Sequence, residues 1–301
     1  MIKRIVEITS PAKLSLCLRQ LVVEREGEEQ ASVPLEDLGL LILDSPVCRP
    51  SQALLAACAG QGIVVLLSDE KHLPASLVLP LSGNTLHSRV LAGQVAASEA
   101  VKNRLWSTVI KAKINGQATV LDLTGRDGSF LRAISSRVKS GDPENVEGRA
   151  AQAYWKALFG VDFLRERDAP GINAALNYGY AIMRATVARA IVGTGLHPAL
   201  GIHHRNQYDA LPLADDLVEP LRPLVDLKVW LLRNAGEINE LSREIRQSLL
   251  ELLIHPCDVG GRSLPLLTAM HSYAAEVRRV LTSEQKSAEL PKLRFEEVTM
   301  T

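Results

Sequence analysis

The sequence contains no Cys-x-x-Cys pair and no cysteine–histidine spacing of a zinc site. Its four cysteines, Cys17, Cys48, Cys58 and Cys257, lie far apart, which excludes a structural zinc motif and a disulfide framework and leaves small apolar residues or free thiols. No run approaches the roughly 18 apolar residues that span a bilayer, so no membrane association is expected. The opening MIKRIVEITS has basic residues but no long apolar core behind them, so no secretory signal is read there and the expected compartment is the cytoplasm. Net charge is absent too: 34 basic side chains balance 34 acidic ones, which neither directs the chain to nucleic acid nor forbids it. Repeats and low-complexity tracts are missing. Aromatic rings are few, and Tyr154, Trp155 and Tyr178 are read as core packing rather than base-stacking platforms.

What is present divides into two patterns. Up to about residue 80 the apolar runs are short and separated by turn residues. IKRIVEI alternates, KLSLCLRQLVVER carries Leu14, Leu16 and Leu18 on one face, and LGLLILDSP, GIVVLLSD and PASLVLPL are brief apolar runs. PSQALLAACAGQG reads as one helix stopped by glycine. After Leu81-Ser82-Gly83-Asn84 apolar residues recur at helical spacing. VLAGQVAASEAVKNRLWSTVIKAKI is a long helix candidate, followed by four more segments in helical register. HPCDVGGRSLPL interrupts, LLTAMHSYAAEVRRVLTSEQ closes the bundle, and ELPKLRFEEVTMT is expected to be a loosely held tail. The predicted fold is α+β: a β-rich, sandwich-like domain over 1–82, a linker over 83–88, and an all-α domain over 89–301.

The chemistry is concentrated in GIHHRNQYDALPLADDLVEPLRP, Gly201–Pro223, which holds two histidines and four carboxylates in 23 residues. Asp216 and Glu219, three apart, share a helix face. Asp215 points about 100° away and is expected to be solvated or to cap the helix, while Pro220 should kink it. Each feature has an ordinary reading alone: an acidic helix N-terminus, a satisfied histidine, and a solvated first-turn glutamate at Glu147. Together, Glu147, His204 and the Asp216/Glu219 pair make a mixed oxygen and nitrogen donor set suited to Mg²⁺ or Mn²⁺. Between residues 100 and 160 ten basic side chains face five acidic ones. That surplus around Glu147 would hold a phosphodiester backbone against the ion, which implies phosphodiester chemistry.

VEGRAAQAYW, GIHHRNQYDAL and ADDLVEPLRPLVD resemble, in order, the CRISPR-associated spacer-acquisition integrase family, and most closely its members from type II systems with their G-x-H-H and D-L-x-E-P-x-R-P signatures. The resemblance spans most of the chain and implies the same domain order. It places the family's metal-site residues on Glu147, His204 and Glu219, His204 as ligand, general base or both, with a further acidic position at Asp216 that is either a direct ligand or a support to one. Many members have aspartate where Glu219 stands, so the ion would sit slightly further from that helix. The implied activity is metal-dependent transesterification: the 3′-hydroxyl of a short foreign fragment attacks double-stranded DNA at the edge of a CRISPR repeat. The implied partners are a second copy, joined through the β-rich domain to form a homodimer, and a small adaptation subunit, with which two such dimers form a hetero-hexamer. Arg149, Arg205, Asn206 and Gln207 are candidate DNA contacts, and Arg222 a candidate partner orienting a carboxylate. Two competing readings stand beside this one: a metal-dependent DNase without strand transfer, and a non-catalytic dimeric DNA-binding scaffold that needs no ion.

Overall fold

The computed structural model describes residues 4–80, 83–166, 169–236 and 238–298. It is strand-rich at the N-terminal end and helical beyond. The strands β1 (Arg4–Ile8), β2 (Lys13–Cys17), β3 (Gln20–Glu24), β4 (Ala31–Pro34), β5 (Leu38–Leu43) and β6 (Arg49–Pro50) precede helix α1 (Gln52–Gly60), and β7 (Val64–Ser68) and β8 (Pro74–Val78) follow it. They form two four-stranded sheets, ordered β1-β5-β7-β8 and β4-β3-β2-β6. In the first, β1, β5 and β7 run parallel and β8 returns antiparallel.

The sequence of β5, LGLLIL, is buried along its whole length, the unbroken apolar signature of a strand covered on both faces. Its side chains divide by the period of two. Leu41 and Leu43 pack toward the second sheet with Ile8, Leu14 and Leu21. Leu40 and Ile42, with Val64 and Leu66 of β7, face the helices and join their core. The first sheet is therefore the middle layer between a second sheet and a helical body.

The helical part comprises α2 (His87–Ala96), α3 (Glu99–Leu123), α4 (Ser129–Ser135), α5 (Val146–Phe159), α6 (Ile172–Gly193), α7 (Pro212–Val218), α8 (Arg222–Ala235) and α9 (Arg243–Leu250). The single long helix expected across residues 90–114 is two helices. The first ends at Ala96 and Ser98 caps the second, its Oγ accepting from the Val101 amide at 3.4 Å, so local capping overrides a continuous run of helix formers. Of the 83–88 linker segment, His87 and Ser88 already belong to α2. Gly83 lies against the Val192 backbone, and Asn84 donates to the Gly193 carbonyl at 3.2 Å. Leu81 and Ser82 lie outside the described residues.

Two further departures lie at the C-terminal end. HPCDVGGRSLPL is a hairpin of β9 (Pro256–Val259) and β10 (Arg262–Pro265). Gly260 and Gly261 both have positive φ, 57° and 74°, as a two-residue hairpin turn requires. After α10 (Leu266–Leu281), the segment expected to be a loose tail adds β11 (Lys292–Leu293) to the other edge of β9 and ends in α11 (Phe295–Val298). Phe295 and Val298 are buried, and Arg294 forks onto Asp258 at 2.7 and 3.1 Å. An apolar anchor and a bidentate ion pair hold it down through residue 298. Among the described residues no helix is long and apolar enough to cross a membrane.

Candidate catalytic site

Three segments distant in sequence meet beside α3, which adds a fourth contribution of its own. The first is the loop before α7. Gln94 of α2 grips its start, donating to the carbonyls of His197 and Leu200 at 3.0 Å each and accepting from the His197 amide at 2.8 Å. At Gly201 a side chain is impossible, because a Cβ would lie 2.4 Å from the His204 carbonyl oxygen. This close approach is the physical reason for a glycine at the head of the His-His pair.

Asp216, fully buried in α7, collects that loop. Its Oδ2 accepts from the amides of Ile202 at 2.6 Å and His203 at 3.1 Å, and its Oδ1 accepts from the His204 amide at 3.1 Å. The same Oδ1 stands 2.7 Å from His204 Nδ1. That bond raises the His204 pKa above its ordinary value against the opposing effect of burial, and it commits Nδ1, leaving Nε2 as the ring's free donor atom. Trp106 of α3 supports both rings, stacked on His203 at 4.2 Å and edge-on to His204 at 5.6 Å.

The second and third contributions are the glutamates. Asp142 and Asn145 build the start of α5: Asp142 accepts from the amides of Val146 and Glu147 at 2.9 Å each, and Asn145 from Gly148 at 3.1 Å. This sets Glu147 in the first turn, partly exposed. The kink expected at Pro220 is a single turn of 3-10 helix, Glu219–Leu221, between α7 and α8. It carries Glu219, 3% exposed, inward.

The fourth contribution is Lys113 on the buried face of α3. Its Nζ is 2.5 Å from Glu147 Oε1 and 2.5 Å from Glu219 Oε2. Glu219 Oε1 takes Arg222 Nη2 at 2.9 Å, and that guanidinium stacks over Tyr180 at 4.9 Å. Burial opposes charge on all three, yet Arg222 and Lys113 hold the Glu219 pKa below its ordinary value, and Glu219 with Glu147 raises that of Lys113. Behind them Asp226 of α8 accepts from Tyr154 at 3.0 Å and also from Tyr180. Burial pushes the Asp226 carboxyl up to about 7.

Glu147 and Glu219 thus converge on one positive centre, with Asp216 bound to the histidine loop rather than facing that centre. Among the described residues no three His, Cys, Asp or Glu side chains are grouped closely enough to hold a metal ion; the Lys113 ammonium stands between the two glutamates. Hard carboxylate oxygens already gathered around a cation are a donor set that fits Mg²⁺ or Mn²⁺.

Asp215 differs from expectation. It is neither solvated nor a cap, because Arg184 of α6 clamps it at 2.7 and 2.8 Å and reaches Asp209 at 2.6 Å. Of the candidate DNA contacts, Arg149, Arg205, Asn206 and Gln207 are all exposed. Arg205 pairs with Glu99, and Arg205, Asn206 and Gln207 line, with His204 and Lys102, a cleft of about 590 Å³. Tyr154 and Tyr178 are core residues, and Trp155 packs on Phe159 and Phe163. The reading from sequence missed Lys113 and Trp106. The available signal was their spacing of seven, which puts both on one face of α3, with Lys113 flanked by Ile110 and Ile114.

A family model described as CRISPR associated protein Cas1 matches residues 6–254. A CRISPR-associated endonuclease Cas1 from Neisseria meningitidis serogroup C is 38% identical over 95% of each chain. A casposase bound to integration product shares the fold with a TM-score of 0.77 at 21% identity, over 98% of this chain and 93% of that one. A Cas6-RT-Cas1–Cas2 complex matches with a TM-score of 0.71 at 16% identity, over 94% of this chain and 35% of the longer one. The chain belongs to the CRISPR-associated Cas1 family.

Proposed function

We propose that this protein is a divalent-metal-dependent DNA endonuclease and integrase that inserts short DNA fragments at CRISPR repeats by 3′-hydroxyl transesterification. The observation that carries this reading is the convergence of Glu147 and Glu219, from different helical segments, on a single cation beside His204. The endonuclease name of the Neisseria relative and the integration product held by the casposase support it.

In this reading Glu147, Glu219 and His204 would hold Mg²⁺ or Mn²⁺. Asp216 fixes the ring and its tautomer, since its oxygens are taken by the 202–204 loop. The bound ion supplies Lewis-acid stabilisation of the charge developing at the phosphodiester and lowers the pKa of the attacking hydroxyl. Arg222 neutralises the far oxygen of Glu219 and keeps its near oxygen in place. Arg205, Asn206 and Gln207 bind the DNA backbone along the cleft, Arg205 exchanging Glu99 for a phosphate, and the exposed Arg149 beside Glu147 is a further backbone contact.

The substrates are double-stranded DNA, as spacer fragment and as repeat, in the cytoplasm. The Cas1–Cas2 assembly of the matched complex supports a small Cas2-like partner here. A homodimer through the strand-rich region, and from it a hetero-hexamer, follow from the family resemblance. Open edge strands at β1, β8, β4 and β6 among the described residues leave ladder groups for a second copy.

The test is a supercoiled plasmid carrying a repeat, incubated with a labelled fragment in Mn²⁺ or in EDTA. Integration joins label to plasmid only when the fragment ends in a 3′-hydroxyl, not a 3′-deoxy end. Nicks without joining favour the DNase, and indifference to the ion together with no cleavage favours the scaffold.

A further inference from the structure

The charge of the two glutamates is already matched by two neighbouring cations. Glu147 and Glu219 bring two negative charges, and Lys113 and Arg222 return two positive ones through ion pairs at 2.5, 2.5 and 2.9 Å. A divalent ion entering between the two glutamates meets these two cations as well, and their repulsion is relieved only if one of them leaves or an anion arrives with the ion.

The two resident cations are not equally mobile. Arg222 is fixed at both ends, by Glu219 and by the Tyr180 ring, and its planar fork holds one geometry. Lys113 reaches the glutamates on a flexible four-carbon stem and touches both with one atom, its Nζ. It is 7% exposed, so water does not replace its carboxylates while it stays. Glu219 Oε2 is buried and makes no well-aligned hydrogen bond; its ion pair is with the ammonium, so the directed bond that a metal would replace is the one from Lys113 to Glu147.

We propose that Lys113 is an internal counter-cation: it holds Glu147 and Glu219 assembled before the divalent ion arrives and competes with that ion for the same two oxygens. The inference rests on the reading of these glutamates as metal ligands. It makes Lys113 a positioning residue with a cost, since the contact that preassembles the site also weakens its hold on metal.

The measurement is Mn²⁺ affinity of the full chain without DNA, by calorimetry and by the electron-spin signal of free Mn²⁺, with melting in EDTA and in Mn²⁺. Lys113→Met removes charge and donor; Lys113→Gln keeps a donor without the charge. Both variants are expected to bind Mn²⁺ about tenfold tighter than the parent. Both should melt lower in EDTA and gain more from Mn²⁺. A merely structural lysine gives the opposite, weaker Mn²⁺ binding in a damaged site. Equal or weaker affinity in both variants overturns the proposal. If both are unfolded in EDTA, recovery of folding by Mn²⁺ supports it and no recovery overturns it. Failure of the underlying reading looks different: neither the parent nor either Lys113 variant binds Mn²⁺, or Glu219→Gln binds it as well as the parent does, and the proposal falls with it.

Discussion

Asp216 holds His204 twice through one oxygen, at its amide by 3.1 Å and at its ring Nδ1 by 2.7 Å, while its other oxygen holds the two amides before it. A single buried carboxylate thus sets the backbone of the loop and the orientation of the imidazole. Asparagine has one acceptor oxygen and would turn an NH₂ group toward amide donors. Asp216→Asn should cost roughly 2–4 kcal/mol in urea unfolding and weaken Mn²⁺ binding about 10–100-fold. Unchanged stability would mean that the loop is held by other contacts.

Trp106 makes the complementary contact from α3, one ring face on His203 and an edge at His204. It is 1% exposed, so Trp106→Ala leaves a large void and should lower unfolding free energy by about 3–5 kcal/mol. Trp106→Phe keeps a stacking surface and should lose much less. Strand-transfer activity, measured well below each variant's melting temperature, should fall in the order parent, Phe, Ala. Full activity in a folded Trp106→Ala protein would show that the loop needs no support from this side.

The buried Asp226 gives a pH signature away from the glutamates. Its carboxyl is raised from 3.8 to about 7 by burial, so between these values the folded protein keeps a proton that the unfolded chain has lost. The resulting stabilisation is complete below pH 3.8 and is lost as pH rises through about 7. Asp226→Asn stays neutral throughout. The stability difference between parent and variant should therefore shift by roughly 2–3 kcal/mol in the variant's favour from pH 5 to pH 8. A difference independent of pH would show that Asp226 titrates in its ordinary range.

Much of the architecture is written in local periodicity. LGLLIL announces a strand covered on both faces, and the change from period two to helical spacing near residue 80 matches the change from sheets to helices. The break at Ser98 is hidden because its neighbours are good helix formers, and the docking of 292–298 depends on an edge of β9 that does not exist until the hairpin forms. In the site, the i, i+3 relation brought out Asp216 and Glu219, but not that one turns to the loop and the other to Lys113. Lys113 itself was counted as part of a basic surplus facing DNA. Summing charges along a segment cannot distinguish a lysine on the apolar face of α3 from one in water, and this one is spent on two carboxylates.

Glu219 and Asp215 sit four residues apart and separate chemistry from scaffolding. Glu219→Gln keeps the side chain's shape but removes the negative charge. By the proposed function it should abolish plasmid integration in Mn²⁺. Filter-binding affinity for DNA at fixed salt should stay nearly unchanged, because that affinity rests on Lys and Arg contacts to many phosphates. The fold will not be untouched, since Lys113 and Arg222 each lose a partner; a loss of about 3–5 kcal/mol is expected where a buried pair is broken from one side. Asp215→Asn removes the charge from a half-buried carboxylate held by Arg184 of α6 rather than by Lys113 or Arg222. It should cost about 1 kcal/mol of stability, with solvent screening the pair, and leave integration near the parent rate. Integration by a folded Glu219→Gln protein would remove Glu219 from the chemistry. Equal loss in both variants, once matched for the folded fraction, would mean that the Arg184 clamp sets the glutamates as firmly as Lys113 does.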